Sequence, residues 1–377
     1  MTTRKLLTVG HSYVVSLNRR LAHEMAIAGK GKWDVTCVAP TYFHGGKDLG
    51  PVAFNARPND AYAFEAVAAH FTSRVHIFSY GRRLRALLKQ RWDVVHAWEE
   101  PYILAGWEIS QWLQTGSKLV YRSAQSNPKT YPPPFSWFEQ RSMARACGWI
   151  CSGHSVEANL LNRKGYERPH LLSPLGVDVD FFRPSASQRA AALRNLSWQE
   201  NGPPVIGFSG RFVPAKGLNL LTRALDGCEQ PWRVLFLGAG EMKAELQTWA
   251  EKHGDKVRIL RVTHDEVPTY INAMDVLCAP SQTTPNWREQ FGRMLVEAFA
   301  CGVPVIGSDS GEIANVVGDA GLIVSEDDVP GWTRAISNLL ASPEKRSELG
   351  RRGLELANAR YAWPVIARDY LSFFERL

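Results

Sequence analysis

Apolar and polar positions along this chain repeat one theme: a short, continuous apolar run, then a longer stretch whose apolar residues recur three and four apart. Lys5 to Gly10 reads as a buried strand, Leu17 to Gly29 as a helix and Asp34 to Pro40 as a second strand, which together make a β-α-β unit. Runs at Asp93–His96, Lys118–Tyr121 and Trp149–Ser152 read as further strands, with a helical stretch around Leu104–Gln114. Continuous apolar strands that alternate with helices predict a parallel sheet covered on both faces. From Leu172 to Pro184, and on through a polar stretch to Pro204, turn formers replace periodicity, and a linker is expected there. The theme then resumes, with strands at Val205–Ser209, Arg233–Gly238, Val257–Leu260, Val276–Ala279, Val303–Gly307 and Gly321–Val324 and a helix at Leu218–Leu225. Apolar residues at Val365, Ile366, Tyr370, Leu371, Phe373 and Phe374 predict an amphipathic terminal helix. Two parallel α/β domains in tandem bind ligands at the carboxyl ends of their strands.

Composition narrows the class. With 377 residues, 45% of them hydrophobic and 21% charged, the chain is expected to fold as two or three globular domains. No run reaches the roughly 18 apolar residues a membrane span needs, and Met1–Lys5 leads into a short apolar run without a signal-type cleavage site, so a cytoplasmic location is expected. Six scattered cysteines without a Cys-x-x-Cys pair argue against a zinc ribbon or a disulfide framework. Residues 1–185 carry 23 Lys/Arg against 14 Asp/Glu, whereas the remainder carries 21 against 23. The basic half is therefore expected to meet an anionic partner. Between Ser73 and Arg91, the cations Arg74, Arg82, Arg83, Arg85, Lys89 and Arg91 interleave with Phe78, Tyr80, Leu84, Leu87 and Leu88. From Tyr80 onward this reads as a basic amphipathic helix for an anionic membrane surface, or as an ordinary solvated face. No recognised nucleic-acid module accompanies it.

Two constellations carry chemistry. In Gly207-Phe208-Ser209-Gly210-Arg211-Phe212-Val213-Pro214-Ala215-Lys216-Gly217, a strand ends in a glycine turn with two cations five residues apart, a combination suited to a diphosphate or to a plain strand-to-helix loop. In Glu289-Gln290-Phe291-Gly292-Arg293-Met294-Leu295-Val296-Glu297, the second carboxylate lies inside an apolar helical run, so it must find donors such as ligand hydroxyls or pair with Arg293. Glu289 precedes that helix, whose free N–H groups would share the same small volume.

With these residues in order, the sequence resembles glycosyltransferase family 4, the retaining nucleotide-sugar transferases of GT-B fold. The resemblance is carried by Pro174-Leu175-Gly176-Val177-Asp178 with Phe181-Arg183-Pro184, Gly210-Arg211 with Lys216-Gly217, the Glu289-x7-Glu297 pair and Gly302-Val303-Pro304-Val305. It implies an acceptor-binding domain over 1–184, with the 363–377 helix packing back on it, and a donor-binding domain over 185–362. Arg211 and Lys216 would hold the donor diphosphate, Glu297 the ribose hydroxyls, and Glu289 with the backbone of Phe291 and Gly292 the donor sugar. Met294 and Leu295 would offer N–H groups to phosphate, and Val262 and Thr263 would flank the base. The resemblance implies a nucleotide sugar as substrate, no metal or other cofactor, and a glycan or lipid-linked acceptor, the latter served at the inner face of the membrane. His11, His96 and Gln125 are expected on the acceptor or sugar side, and Arg82, Arg83, Arg85 and Lys89 against the membrane. Two departures from the family pattern stand out: Gly10-His11-Ser12-Tyr13 replaces a Gly-Gly pair, and Gln125 occupies a place where many members carry His. Rival readings are a sugar-nucleotide epimerase of the same fold, a non-catalytic nucleotide- or glycan-binding protein, and a dehydrogenase. The last would rest on Gly238-Ala239-Gly240, which lacks the third glycine of the dinucleotide fingerprint.

Overall fold

The computed structural model describes residues 3–44, 51–55, 59–285 and 287–377, with Arg163 described by its backbone alone. Met1 and Thr2, at the head of the opening run, lie outside the described residues. The chain forms two compact units, one of residues 1–174 with 363–377 and the other of 175–362. The division falls after Pro174 rather than after Pro184. Val177 and Phe182 are buried in the second unit's core, and the Val177 N–H donates to the Tyr361 carbonyl, so residues 175–184 are tied to the second unit.

In the first unit, strands β1 (Arg4–Val9), β2 (Trp33–Pro40), β5 (Ala63–Val67), β6 (Val94–Ala97), β7 (Lys118–Ser123), β8 (Gly148–Cys151) and β9 (His170–Leu172) form one parallel sheet in the order β5-β2-β1-β6-β7-β8-β9. A short antiparallel pair, β3 (Tyr42–His44) and β4 (Pro51–Ala53), stands apart from it. The helices of this unit are α1 (Arg20–Ala28), α2 (Arg82–Leu88), α3 (Leu104–Trp112), α4 (Phe135–Arg145), α5 (His154–Ala158) and the terminal helix Trp363–Arg376. The first helix starts at Arg20 instead of Leu17, because the buried Arg19 guanidinium donates to the carbonyls of Tyr13, Val14 and Asn55 and so holds residues 11–19 in two 3-10 turns. The terminal helix buries Trp363, Ile366, Tyr370, Leu371, Phe373 and Phe374 and packs on α1. Its apolar spacing of three and four is the stripe expected of it.

In the second unit, β10 (Val205–Arg211), β11 (Arg233–Ala239), β12 (Val257–Leu260), β13 (Val276–Ala279), β14 (Val305–Ser308) and β15 (Leu322–Val324) form a parallel sheet in the order β12-β11-β10-β13-β14-β15. Successive strand residues feed opposite cores. Val205, Leu235, Leu277 and Val305 pack on one face, and Ile206, Phe236, Cys278 and Ile306 on the other, which is why these strands are apolar throughout. The helices covering them are α6 (Ala186–Asn195), α7 (Leu218–Asp226), α8 (Lys243–Glu251), α9 (Val267–Ile271), α10 (Arg293–Ala300), α11 (Ile313–Val317), α12 (Val329–Ala341) and α13 (Pro343–Leu356). Helix α6 lies inside the stretch expected to be a linker. Ser185 caps it by accepting the Gln188 N–H, and Ala192 and Leu193 anchor it to the core. Among the described residues no helix is long and apolar enough to cross a membrane.

Candidate functional site

In the second unit, the two sequence constellations converge. The C-terminal end of β10 and the segment between β13 and α10 enclose a depression of about 390 Å³, lined by Leu175, Ser209, Gly210, Arg211, Lys216, Trp287 and the run from Glu289 to Met294 with Glu297. Two larger depressions, of about 590 Å³ beside Arg223 and Trp249 and about 440 Å³ beside Lys30 and Trp33, hold none of these motif residues.

The central feature is a buried ion pair. Lys216 Nζ donates to Glu289 Oε2, which also accepts the Ser281 hydroxyl at 2.9 Å, and the ammonium lies 5.1 Å from the centre of the Trp287 ring. Both side chains are about nine-tenths buried, so each charge depends on the other for compensation. Glu289 Oε1 has no hydrogen-bond partner among the described residues and is left for a ligand hydroxyl. The turn that delivers Lys216 requires glycine at its end. Gly217 sits at φ +68°, and a Cβ there would lie 1.8 Å from the Pro280 carbonyl oxygen. Ser281 and Trp287 were not singled out from the sequence; the available signal was their position directly after a buried strand and just ahead of Glu289.

At the opposite wall, Gly292 opens α10 from the left-handed region, φ +79°, which turns the first N–H groups of the helix outward. The Leu295 N–H already donates to the Gly292 carbonyl, so the earlier N–H groups, at Arg293 and Met294, are the ones left for an anion rather than that of Leu295. The Glu297 side chain is 13% exposed, with Arg293 at 3.9 Å, beyond hydrogen-bonding distance. Burial pushes its carboxyl above the usual carboxylate range, and Arg293 pulls it partway back. Such a group gains from hydroxyl donors that would hold it ionised. Arg211 is exposed at the rim. Val262 and Thr263 stand after the edge strand β12 and do not line the depression. The Thr263 N–H is also committed, donating at 2.8 Å to Glu266 in a capping box, so it is not free for a base.

The remaining motifs act as scaffold. The Asp178 side chain accepts the N–H groups of Asp180 and Phe181, and a Cβ on Gly302 would stand 3.5 Å from Pro184, so Pro184 and Gly302 meet at one corner of the unit.

In the first unit, the three expected acceptor-side residues differ sharply. His11, just after β1, is clamped: its backbone N–H and its Nδ1 each lie 2.6 Å from a different oxygen of Glu99, and its ring sits between Phe43 and Phe78. The Glu99 carboxylate is fully buried and also accepts the Tyr80 hydroxyl. Burial alone would lower the His11 pKa, but Glu99, through its charge and hydrogen bond, and Glu100 at longer range outweigh it, and the value is raised. The ring is 29% exposed, and no hydrogen bond occupies its Nε2 among the described residues. His96 is corrected to a structural residue. It is wholly buried, shares a 2.8 Å hydrogen bond with Thr8, packs on Tyr370 and Phe374 of the terminal helix, and is held neutral by burial and Arg122 with its pKa lowered to about 3. Gln125 is fully engaged: its amide donates to the Tyr131 hydroxyl at 3.1 Å and accepts from Lys164 Nζ at 2.7 Å. Lys164 has no partner evident in the sequence, yet it is an internal cation here, paired with Glu139 as well.

Helix α2 corrects the membrane expectation. Its apolar residues Leu84, Leu87 and Leu88, with Tyr80 and Phe78 ahead of it, all face the core, so the helix has no apolar face to insert in lipid. Arg82, Arg85 and Lys89 are exposed, and Arg83 is bound by both nitrogens of its fork to Glu65.

Residues 194–355 match the family described as glycosyl transferases group 1. The chain is 30% identical over 200 residues to the GDP-mannose-dependent monoacylated alpha-(1-6)-phosphatidylinositol monomannoside mannosyltransferase of Corynebacterium glutamicum, a match covering 51% of this chain and 52% of that protein. It is 30% identical over 303 residues to the D-inositol 3-phosphate glycosyltransferase of Stackebrandtia nassauensis, covering 75% of this chain and 64% of that one. The chain thus spans between about half and two thirds of the length of these relatives. Among solved structures it superposes on sucrose-phosphate synthase from Thermosynechococcus elongatus with a TM-score of 0.74 at 20% identity, over 99% of this chain and 98% of that one. The match to the glycosyl transferases group 1 family thus lies within residues 194–355, and the chain's two parallel α/β units carry the GT-B fold.

Proposed function

We propose that this protein transfers a hexose-type sugar from a nucleoside-diphosphate sugar to a hydroxyl of a glycan or lipid-linked acceptor, with retention of anomeric configuration and without a metal. The observation that carries this reading is the buried Lys216–Glu289–Ser281 set facing the N-terminus of α10 across one depression. Lys216, paired with Glu289, would turn its charge to the diphosphate of a bound donor, with Arg211 at the rim and the N–H groups of α10 sharing the load. Fixed cations and helix dipoles of this kind stabilise a departing diphosphate in the way a metal would. Glu297 would accept the ribose hydroxyls, and Glu289 Oε1 a hydroxyl of the sugar. In the first unit, His11 and Glu99 would orient the acceptor hydroxyl. The family and the mannosyl and inositol-phosphate relatives support the class of reaction; retention rests on the resemblance to glycosyltransferase family 4 alone.

The test is release of nucleoside diphosphate from UDP-glucose, UDP-galactose and GDP-mannose in the presence of EDTA, followed by proton NMR of the glycoside formed on an added glycan. Turnover of one donor with EDTA present and a product of unchanged anomeric configuration is expected. Turnover abolished by EDTA, or an inverted product, contradicts the metal-free or the retaining part respectively.

A further inference from the structure

Ser281 and Glu289 lie outside any helix or strand, so no regular ladder of backbone hydrogen bonds fixes them. Their side chains nevertheless meet within hydrogen-bonding distance, beside a buried ammonium. The contacts that locate their backbone come from the turn between β14 and α11. The Ser308 hydroxyl, wholly buried, accepts the Ser310 N–H at 3.4 Å and donates to the Ser281 carbonyl at 2.5 Å. The hydroxyls of Ser310 and Thr283 lie 3.0 Å apart, and the Glu312 N–H donates to the Glu289 carbonyl at 2.9 Å. Gly311 lies flat against Glu289. Its φ is +59°, and a Cβ there would stand 2.0 Å from the Glu289 carbonyl oxygen and 2.9 Å from the Glu289 nitrogen, so the approach requires glycine.

The next strand end joins the same grip. Asp309 accepts the Glu326 N–H at 2.9 Å, and the Glu326 carboxylate accepts the Thr283 N–H at 2.5 Å. The Glu326 carbonyl accepts the Gln282 side-chain amide at 3.2 Å. Chain ends leaving β13, β14 and β15 are thereby joined side by side at the carboxyl edge of the sheet, where open α/β sheets bind ligands. Ser308 touches the stretch at Ser281 and Gly311 touches it at Glu289, the two residues whose side chains converge on one carboxylate. Groups that must meet a reacting atom tolerate little movement, since a misplacement of about 1 Å costs about a hundredfold in rate.

We propose that Ser308 and Gly311 are positioning residues: acting through the backbone of Ser281 and Glu289, they set the Glu289 carboxylate against Lys216 and hold its other oxygen ready for a sugar hydroxyl. The consequence for sugar transfer rests on the transferase reading. The placement of Glu289 does not, so the two fail separately.

The experiment compares the full-length variants Ser308→Ala and Gly311→Ala with the unaltered chain. Carbon-13 NMR of chain labelled at the glutamate carboxyl carbons reads the placement directly, with the Glu289 resonance assigned by its absence in Glu289→Gln. Both variants are expected to shift that resonance. With the nucleotide sugar that the unaltered chain turns over, Ser308→Ala should lose at least about tenfold in kcat and Gly311→Ala about a hundredfold. Calorimetric affinity for the matching nucleoside diphosphate should change by less than about twofold, because Glu297 and the N–H groups of α10 are assigned to it. A Glu289 resonance that stays in place in both variants overturns the proposal. So does a shifted resonance with unaltered kcat, or a nucleotide affinity that falls as far as turnover does, which would make the turn plain scaffold. Ser308→Ala removes one hydroxyl and adds no atom, so it carries the test alone if Gly311→Ala does not fold. If the unaltered chain turns over no nucleotide sugar, the transferase reading fails and the carboxyl resonance still decides whether these residues place Glu289.

Discussion

Lys216 and Glu289 illustrate how single residues set the chemistry. Both charges are about nine-tenths buried, so removing one leaves the other poorly compensated, and Lys216→Met should destabilise the chain by about 3 kcal/mol in chemical denaturation. If Lys216 acts on charge that develops as the diphosphate departs, the same variant should lose at least about a hundredfold in kcat with a much smaller change in KM. Matching losses in both would assign it to ground-state binding. Glu297→Ala should weaken nucleoside-diphosphate binding about tenfold or more, since hydrogen bonds to a carboxylate are the strong kind. Unchanged affinity in calorimetry would remove Glu297 from the ribose. The two histidines make opposite statements about pH. His11 has a raised pKa, so its pairing with Glu99 contributes stability that is fully present below the unfolded value of 6.5 and is lost as pH rises through the folded value. His96, lowered to about 3, contributes stability present above 6.5 and lost as pH falls toward 3. In NMR titrations Glu99→Gln should lower the His11 midpoint. A midpoint that stays put would show that the carboxylate does not hold the ring charged.

At the scale of elements, the geometry of the site depends on turns more than on helices. Gly217→Ala would force a Cβ into the Pro280 carbonyl from a positive φ, so it should lower the melting temperature markedly, by more than about 1 kcal/mol in stability, and displace Lys216. A variant with unaltered melting and unaltered nucleotide affinity would show that the turn tolerates a side chain. The strongly apolar central strands of both sheets could be read directly, because burial on both faces leaves no polar alternation to confuse them. The marginal strands of the first sheet could not: β5 is half-exposed, and β9 is three residues long with every residue partly exposed. Helix α6 was hidden for a related reason, since it buries only Ala192 and Leu193, although Ser185 with Gln188 three residues on was a capping signal in plain view. Helix α2 misled in the other direction. Its alternation of cations and leucines is what a surface helix needs to pack on its own domain, and sequence alone does not tell that from packing on lipid.

For the whole molecule, the uneven charge and the division into two units fit the proposal of two different kinds of partner. The second unit concentrates a compensated ion pair, a helix N-terminus and two strategically placed carboxylates around one depression, and its motif residues were readable because each departs from the apolar monotony of the strands and helices around it. The first unit carries the excess of cations and the exposed apolar side chains, and its working residues were harder to see. His11, His96 and Gln125 look equivalent as polar residues in or after strands, and only their partners separate a clamped histidine whose Nε2 no described residue occupies from a buried neutral one and from an amide bonded on both sides. The central claim, that the depression in the second unit binds a nucleoside diphosphate without a metal, is tested most directly by calorimetric titration of the full chain with UDP and GDP in EDTA. Saturable binding of one of them that is unaffected by EDTA and weakened by Glu297→Ala is the predicted result. Binding that appears only when a divalent cation is added, or no binding of either nucleotide, would contradict it.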